Sequence, residues 1–110
     1  MKGGMGGLLK QAQKMQKEIE RIQNELADMK IEGSAGGGMV TAIASGQQEL
    51  LEVNIDPEVV DPDDVEMLED LVLAAVNQAL ENAKATAEEE MSKATGGMMP
   101  NFGNMQIPGL

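Results

Sequence analysis

The chain has 110 residues with a net charge of −11 at pH 7, and it contains no cysteine and no histidine. That length holds one small domain, and the missing residue types exclude a disulfide staple, the usual zinc ligand sets and the familiar pairings of nucleophile with base. No enzyme chemistry and no cofactor is expected. The longest purely apolar run, Leu71 to Val76, is too short for a membrane span, and the opening Met1, Lys2, Gly3, Gly4, Met5 lacks the apolar block of a secretory signal. A soluble, cytoplasmic protein is therefore expected, with no membrane partner. Charge is unevenly spread: residues 1 to 30 carry six bases against four acids, net +2, whereas residues 31 to 110 carry two bases against fifteen acids, net −13.

Residues 1–7, with four glycines, are predicted to be a flexible leader, followed by a single domain over 8–94. Leu8 to Lys30 reads as one amphipathic helix. Leu8, Ala12, Met15, Ile19, Ile22, Leu26 and Met29 alternate spacings of four and three, the seam of a helix that packs along another helix. Such a seam on so small a core calls for self-association. Lys10, Lys14, Lys17 and Arg21 repeat the four-three-four spacing on the opposite face, over about 16 Å at 1.5 Å per residue. Lys10 with Lys14, and Lys17 with Arg21, are like charges four apart, which a helix built for stability alone would interleave. The bland reading is a solvated face; the sharper one is a track for phosphates. One aromatic residue gives no platform for stacking bases, so nucleic-acid binding would be to duplex backbone.

Ile31 and Glu32 begin a short strand, and 33–38, with four glycines, reads as a loop. Met39 to Ser45 alternates as a second strand, with Val40, Ala42 and Ala44 on one face. Gly46 and Gln47 supply a turn, and Gln48 to Ile55 makes a third strand with Leu51, Val53 and Ile55 on one face. The last two strands form an antiparallel hairpin with one edge open to a second copy. Asp56 and Pro57 end the last strand. Asp61 is predicted to cap a second helix, with Pro62 at its first position and Asp63 and Asp64 in its first turn. Its buried side is predicted as Val65, Leu68, Leu71, Val72, Ala75, Val76, Ala79, Leu80 and Ala83, and its end at about Ala94. Residues 95–110, rich in glycine and proline and holding Phe102, read as a mobile tail.

The acidic clusters do not assemble a site. Asp56 to Glu66 lacks the glycine of a calcium loop and is broken by prolines, and Gly36 to Gly38 leads into a strand with no lysine, unlike a phosphate cradle.

With these elements in order, the chain resembles the YbaB/EbfC family of bacterial nucleoid-associated proteins. The resemblance rests on the Lys-Gln-Ala-Gln-Lys-Met-Gln run at 10–16, the glycine-rich loop into Met39 and Val40, and Val53 to Pro57. It continues in Leu68, Leu71, Ala75, Asn77 and Ala79 of the second helix, and in the glycine-proline tail. It implies an α+β protomer of order α-β-β-β-α, with a long N-terminal helix, a three-stranded antiparallel sheet and a long C-terminal helix. It also implies a homodimer whose helices grip duplex DNA with little sequence specificity in the nucleoid, and an association with recombinational-repair proteins. The DNA-contacting residues it implies are Lys10, Lys14, Lys17 and Arg21, with Lys84 and Lys93 as secondary candidates. An acidic dimeric protein-interaction module without DNA binding is the rival expectation.

Overall fold

The computed structural model describes residues 2–94, with side chains from residue 6 onward. The elements are α1 (Lys2–Asp28), β1 (Ile31–Ala35), β2 (Val40–Ala44), β3 (Leu50–Ile55), a short 3-10 turn (Pro57–Val59) and α2 (Val65–Ala94). The strands form one antiparallel sheet in the order β1-β2-β3, so the α-β-β-β-α order and the α+β class are as expected. The tail at 95–110 lies outside the described residues.

The core is made by α2 lying on one face of the sheet. Val40, Ala42 and Ala44 of β2 are fully buried, and so are Ala75, Ala79 and Ala83 of α2. Small residues on both sides let the helix come close. Gly33 is the tightest point: a Cβ there would run into the Ala79 amide nitrogen and lie 2.7 Å from the Ala75 carbonyl oxygen. This explains why β1 runs through Gly33 to Ala35, where the glycines alone suggested a loop. Gly33 is a strand residue stripped of its side chain by the approach of α2. The true turn is Gly36 to Gly38, all three at positive φ.

Two side chains of α2 then reach the outer rim of β1. Gln78 Oε1 accepts from the Ser34 amide at 2.7 Å, and Asn82 Nδ2 donates to the Glu32 carbonyl at 3.0 Å. Both backbone groups point away from β2, so this edge of the sheet is already occupied.

Two helix starts, one burial and one strand register differ from expectation. Helix α1 starts at Lys2 rather than Leu8, running through the glycines expected to form a leader. Helix α2 starts at Val65: Asp61 accepts instead from Asp63 N within a tight turn, and Asp64 Oδ1 accepts from Met67 N at 3.2 Å as the actual cap. The Asp-Pro-Asp run satisfies itself locally before the helix begins. Val65, expected to be buried, is exposed. In β3 a bulge opposite Ile43 and Ala44 pairs Ala44 with Leu50, which moves Leu50 into register with Val53 and Ile55 and leaves Leu51 as the extra residue.

A Gly33→Ala substitution is expected to cost about 1 to 3 kcal/mol, because backbone rather than a flexible side chain opposes the added methyl. Gly37→Ala meets no atom but sits at φ +68°, and should cost about 1 kcal/mol through the backbone alone. Urea denaturation of both variants checks this, with Gly33→Ala expected to show the lower midpoint.

Candidate nucleic-acid interface and dimer surface

The basic stripe is carried by an arm. A 27-residue helix is about 40 Å long, and α2 and the β2–β3 turn hold it through its C-terminal half. Ile22 and Leu26 are 4% and 2% exposed, whereas every residue from 6 to 17 is exposed. The radius of gyration, 20.0 Å, is far above the roughly 13 Å of a compact chain of this length.

The β2–β3 turn anchors that arm. The Gly46 amide donates to the Leu26 carbonyl at 2.7 Å, and Gln47 Nε2 donates to the Gln23 carbonyl at 3.0 Å. Leu26 is among the last carbonyls of α1; it also accepts from the Met29 amide at 3.2 Å, and the turn completes the cap with the shorter bond. A Cβ on Gly46 would lie 2.8 Å from both the Leu26 carbonyl oxygen and its Cδ2. Ser45, buried beneath, accepts from the Gln47 and Glu49 amides and holds the turn in shape.

Lys10, Lys14, Lys17 and Arg21 are all exposed on the arm, but their electrostatic states differ. Arg21 donates to Glu18 Oε2 at 2.8 Å and to Glu25 Oε2 at 2.6 Å, bridging acids three residues before it and four after. These hydrogen bonds raise the guanidinium pKa further, and Arg21 in return holds the Glu18 carboxyl below its ordinary value. Lys10, Lys14 and Lys17 enter no ion pair among the described residues. The unneutralised positive charge is thus concentrated toward the outer part of the arm. On α2, Lys84 is exposed and Lys93 pairs with Glu90 at 3.4 Å. The exposed acids Glu66, Glu69, Asp70, Glu81, Glu88 and Glu89 give that helix the opposite sign.

A second surface lies at the other end of the molecule. Helix α2 sits over β1 and β2 and leaves β3 largely uncovered, so that Leu50, Leu51, Val53 and Ile55 are all exposed. The Asp56 amide donates to the Met39 carbonyl, and Thr41 and Ile43 pair with Asn54 and Glu52. By the alternation of an antiparallel ladder, the backbone groups of Val53 and Ile55 therefore point outward, away from β2. Beside them Ile55, Leu68, Val72, Leu73 and Val76 line an open groove of ≈ 440 Å³, with Glu69 at its rim. Leu73 was absent from the expected buried side of α2. Its signal was the run Leu71 to Val76, apolar around the whole helix, which one sheet face cannot cover. Gln78 and Asn82 left no such signal, because polar residues beside an alanine ridge read as a solvated flank.

Among the described residues no cluster of histidine, cysteine, aspartate and glutamate is arranged to hold a metal ion, and no helix is long and apolar enough to cross a membrane.

Residues 1–98 match the sequence profile of the YbaB/EbfC DNA-binding family. A nucleoid-associated protein of Caldanaerobacter subterraneus subsp. tengcongensis is 55% identical over 115 residues, covering 99% of this chain and 97% of the relative. One from Acetivibrio thermocellus is 56% identical over 96 residues, covering 87% and 85%. The crystal structure of an uncharacterized protein from Helicobacter pylori superposes with a TM-score of 0.63 at 26% identity, over 86% of this chain and 92% of that one. A profile matched over nearly the whole length, relatives sharing more than half of their residues, and the same α-β-β-β-α architecture agree: this chain belongs to the YbaB/EbfC DNA-binding family.

Proposed function

We propose that the protein is a nucleoid-associated protein that binds duplex DNA with little sequence preference, as a homodimer, through the outer face of α1. The observation that carries the reading is the exposure of Lys10, Lys14 and Lys17 on one face of α1, none of them in an ion pair among the described residues. Lysines on a helix meet phosphates as point charges and carry no base-edge code, so the binding is electrostatic and tolerant of sequence. The separation of charge matters. With a net −13 over residues 31 to 110, the acids weaken the stripe where the end of α2 comes alongside Lys14 at Ala94, and salt screening over about 8 Å limits how far their effect reaches along it. Arg21 takes a smaller share, since a phosphate must displace Glu18 and Glu25 to reach it.

Dimerisation places two arms on one particle. The open β3 edge and the groove bounded by Ile55, Leu73 and Val76 suit a second copy, since edge-to-edge pairing satisfies the outward amides and carbonyls while the groove takes apolar side chains. The β1 edge is unsuited, being bonded to Gln78 and Asn82.

Duplex affinity is expected to fall steeply with salt, with a slope of log K against log salt approaching about −7 if all eight stripe cations of a dimer engage. Lys14→Glu with Lys17→Glu should weaken binding by more than about tenfold and flatten that slope to roughly half. Unchanged binding in that variant, or none at about 50 mM salt, would sink the reading in favour of an acidic interaction module. Light scattering should give about twice the 11.7 kDa chain mass for the wild type. Val53→Asp with Leu73→Asp should give the single-chain mass with the helical circular dichroism retained; a dimer that persists would move the interface elsewhere.

A further inference from the structure

Strand β1 forms the edge of the sheet opposite β3, and little in its own sequence protects it. It holds no proline and no lysine, Glu32 is its one charge, and its ladder with β2 runs from Ile31 to Ala35 without a bulge. Such an edge is a template for another strand.

The protection comes from α2. By the alternation of an antiparallel ladder, the outward backbone groups of β1 are the amides and carbonyls of Glu32 and Ser34. The inner two of these four, the Ser34 amide and the Glu32 carbonyl, are the ones that Gln78 and Asn82 bond, at 2.7 and 3.0 Å. The fit is one of pitch. Four residues of helix rise about 6 Å and two residues of strand span about 6.7 Å, so side chains four apart on α2 meet backbone groups two apart on β1. One carboxamide accepts and the other donates, as the backbone of a neighbouring strand would. Ala79 and Ala83, each one place further on, carry the packing, being buried against the sheet, whereas Gln78 and Asn82 are exposed at its rim.

The strand that suits this edge is a second β1. Antiparallel pairing about Gly33 sets Ser34 of one chain opposite Glu32 of the other, and the bonds they would exchange use the same amide and carbonyl that α2 now holds. Two different two-fold contacts on one chain, through β1 and through β3, would carry assembly past two copies.

We propose that the β1 edge is a second self-association surface, complementary to another β1, and that Gln78 and Asn82 hold it shut so that assembly stops at the pair joined through β3. Only the count of two rests on the β3 dimer proposed above; the guard on β1 does not.

Gln78→Ala with Asn82→Ala in the full-length chain opens the edge at two exposed helical sites, where alanine keeps the helix and its circular dichroism. At about 1 M salt a Debye length of about 3 Å screens the acidic chains from one another. Light scattering should then show the mass of this variant rising with concentration beyond twice the 11.7 kDa chain mass, while that of the wild type does not. Adding Val53→Asp and Leu73→Asp should return it to twice the chain mass, now joined through β1. If the wild type itself has the single-chain mass, the β3 reading fails, and the alanine variant is still expected to gain one copy. In dilute solution the Ser34 amide of the alanine variant should exchange about fivefold faster than in the wild type, the contribution of one net hydrogen bond, and become protected again as the mass grows. Gln78→Glu, whose carboxylate still accepts from Ser34, should keep the wild-type mass and the protection. An alanine variant with the wild-type mass at every concentration overturns the proposal, and so does growth that leaves the Ser34 amide unprotected.

Discussion

The contact between Gly46 and Leu26 decides what the long N-terminal helix can do. A helix of 27 residues with four glycines near its start has little reason to hold a fixed direction unless its other end is clamped. The clamp is a turn whose amide and glutamine side chain bond the helix's late carbonyls, with a bare glycine backbone laid against Leu26. Ile22 and Leu26 are buried just inside it, and residues 6 to 17 lie exposed beyond. A side chain at position 46 would push the helix off the turn and release the whole arm.

The same logic of missing side chains governs the second helix. Gly33, Ala75, Ala79 and Ala83 allow α2 to lie on the sheet at backbone range. That closeness has a cost in width, since a helix seated tightly over β1 and β2 cannot also cover β3. The exposed β3 face is thus a consequence of how the core is packed. Gln78 and Asn82 complete the asymmetry by occupying the other edge. One edge of the sheet is closed by the chain's own side chains and the other is left open.

Charge follows this division of space. Acids sit on α2 and around the connection preceding it, and the unpaired lysines sit at the far reach of α1. A strongly acidic protein can in this way present a locally basic surface, because screening in salt water makes the local sign matter more than the total. Arg21, nearer the body, is already paired with Glu18 and Glu25.

Element type and order, the alternation that buries Val40, Ala42 and Ala44, the alanine ridge and the four-residue basic stripe were all determined by the sequence, since each depends on periodicity within one segment. Periodicity does not report distance between segments. Gly33 therefore read as a loop residue until α2 was seen to pass over it, and Asp61 read as a helix cap although Asp64, equally suited by type, holds that role. The seam of α1 was legible as apolar from Leu8 to Met29, but its division into a buried inner part and an exposed outer part was decided only by where α2 and the β2–β3 turn make contact. The difference between Arg21 and the three lysines likewise came from rotamers that bring Glu18 and Glu25 to one guanidinium. Sequence fixes which face of each element is apolar or charged; only the packed chain decides which of those faces are already covered.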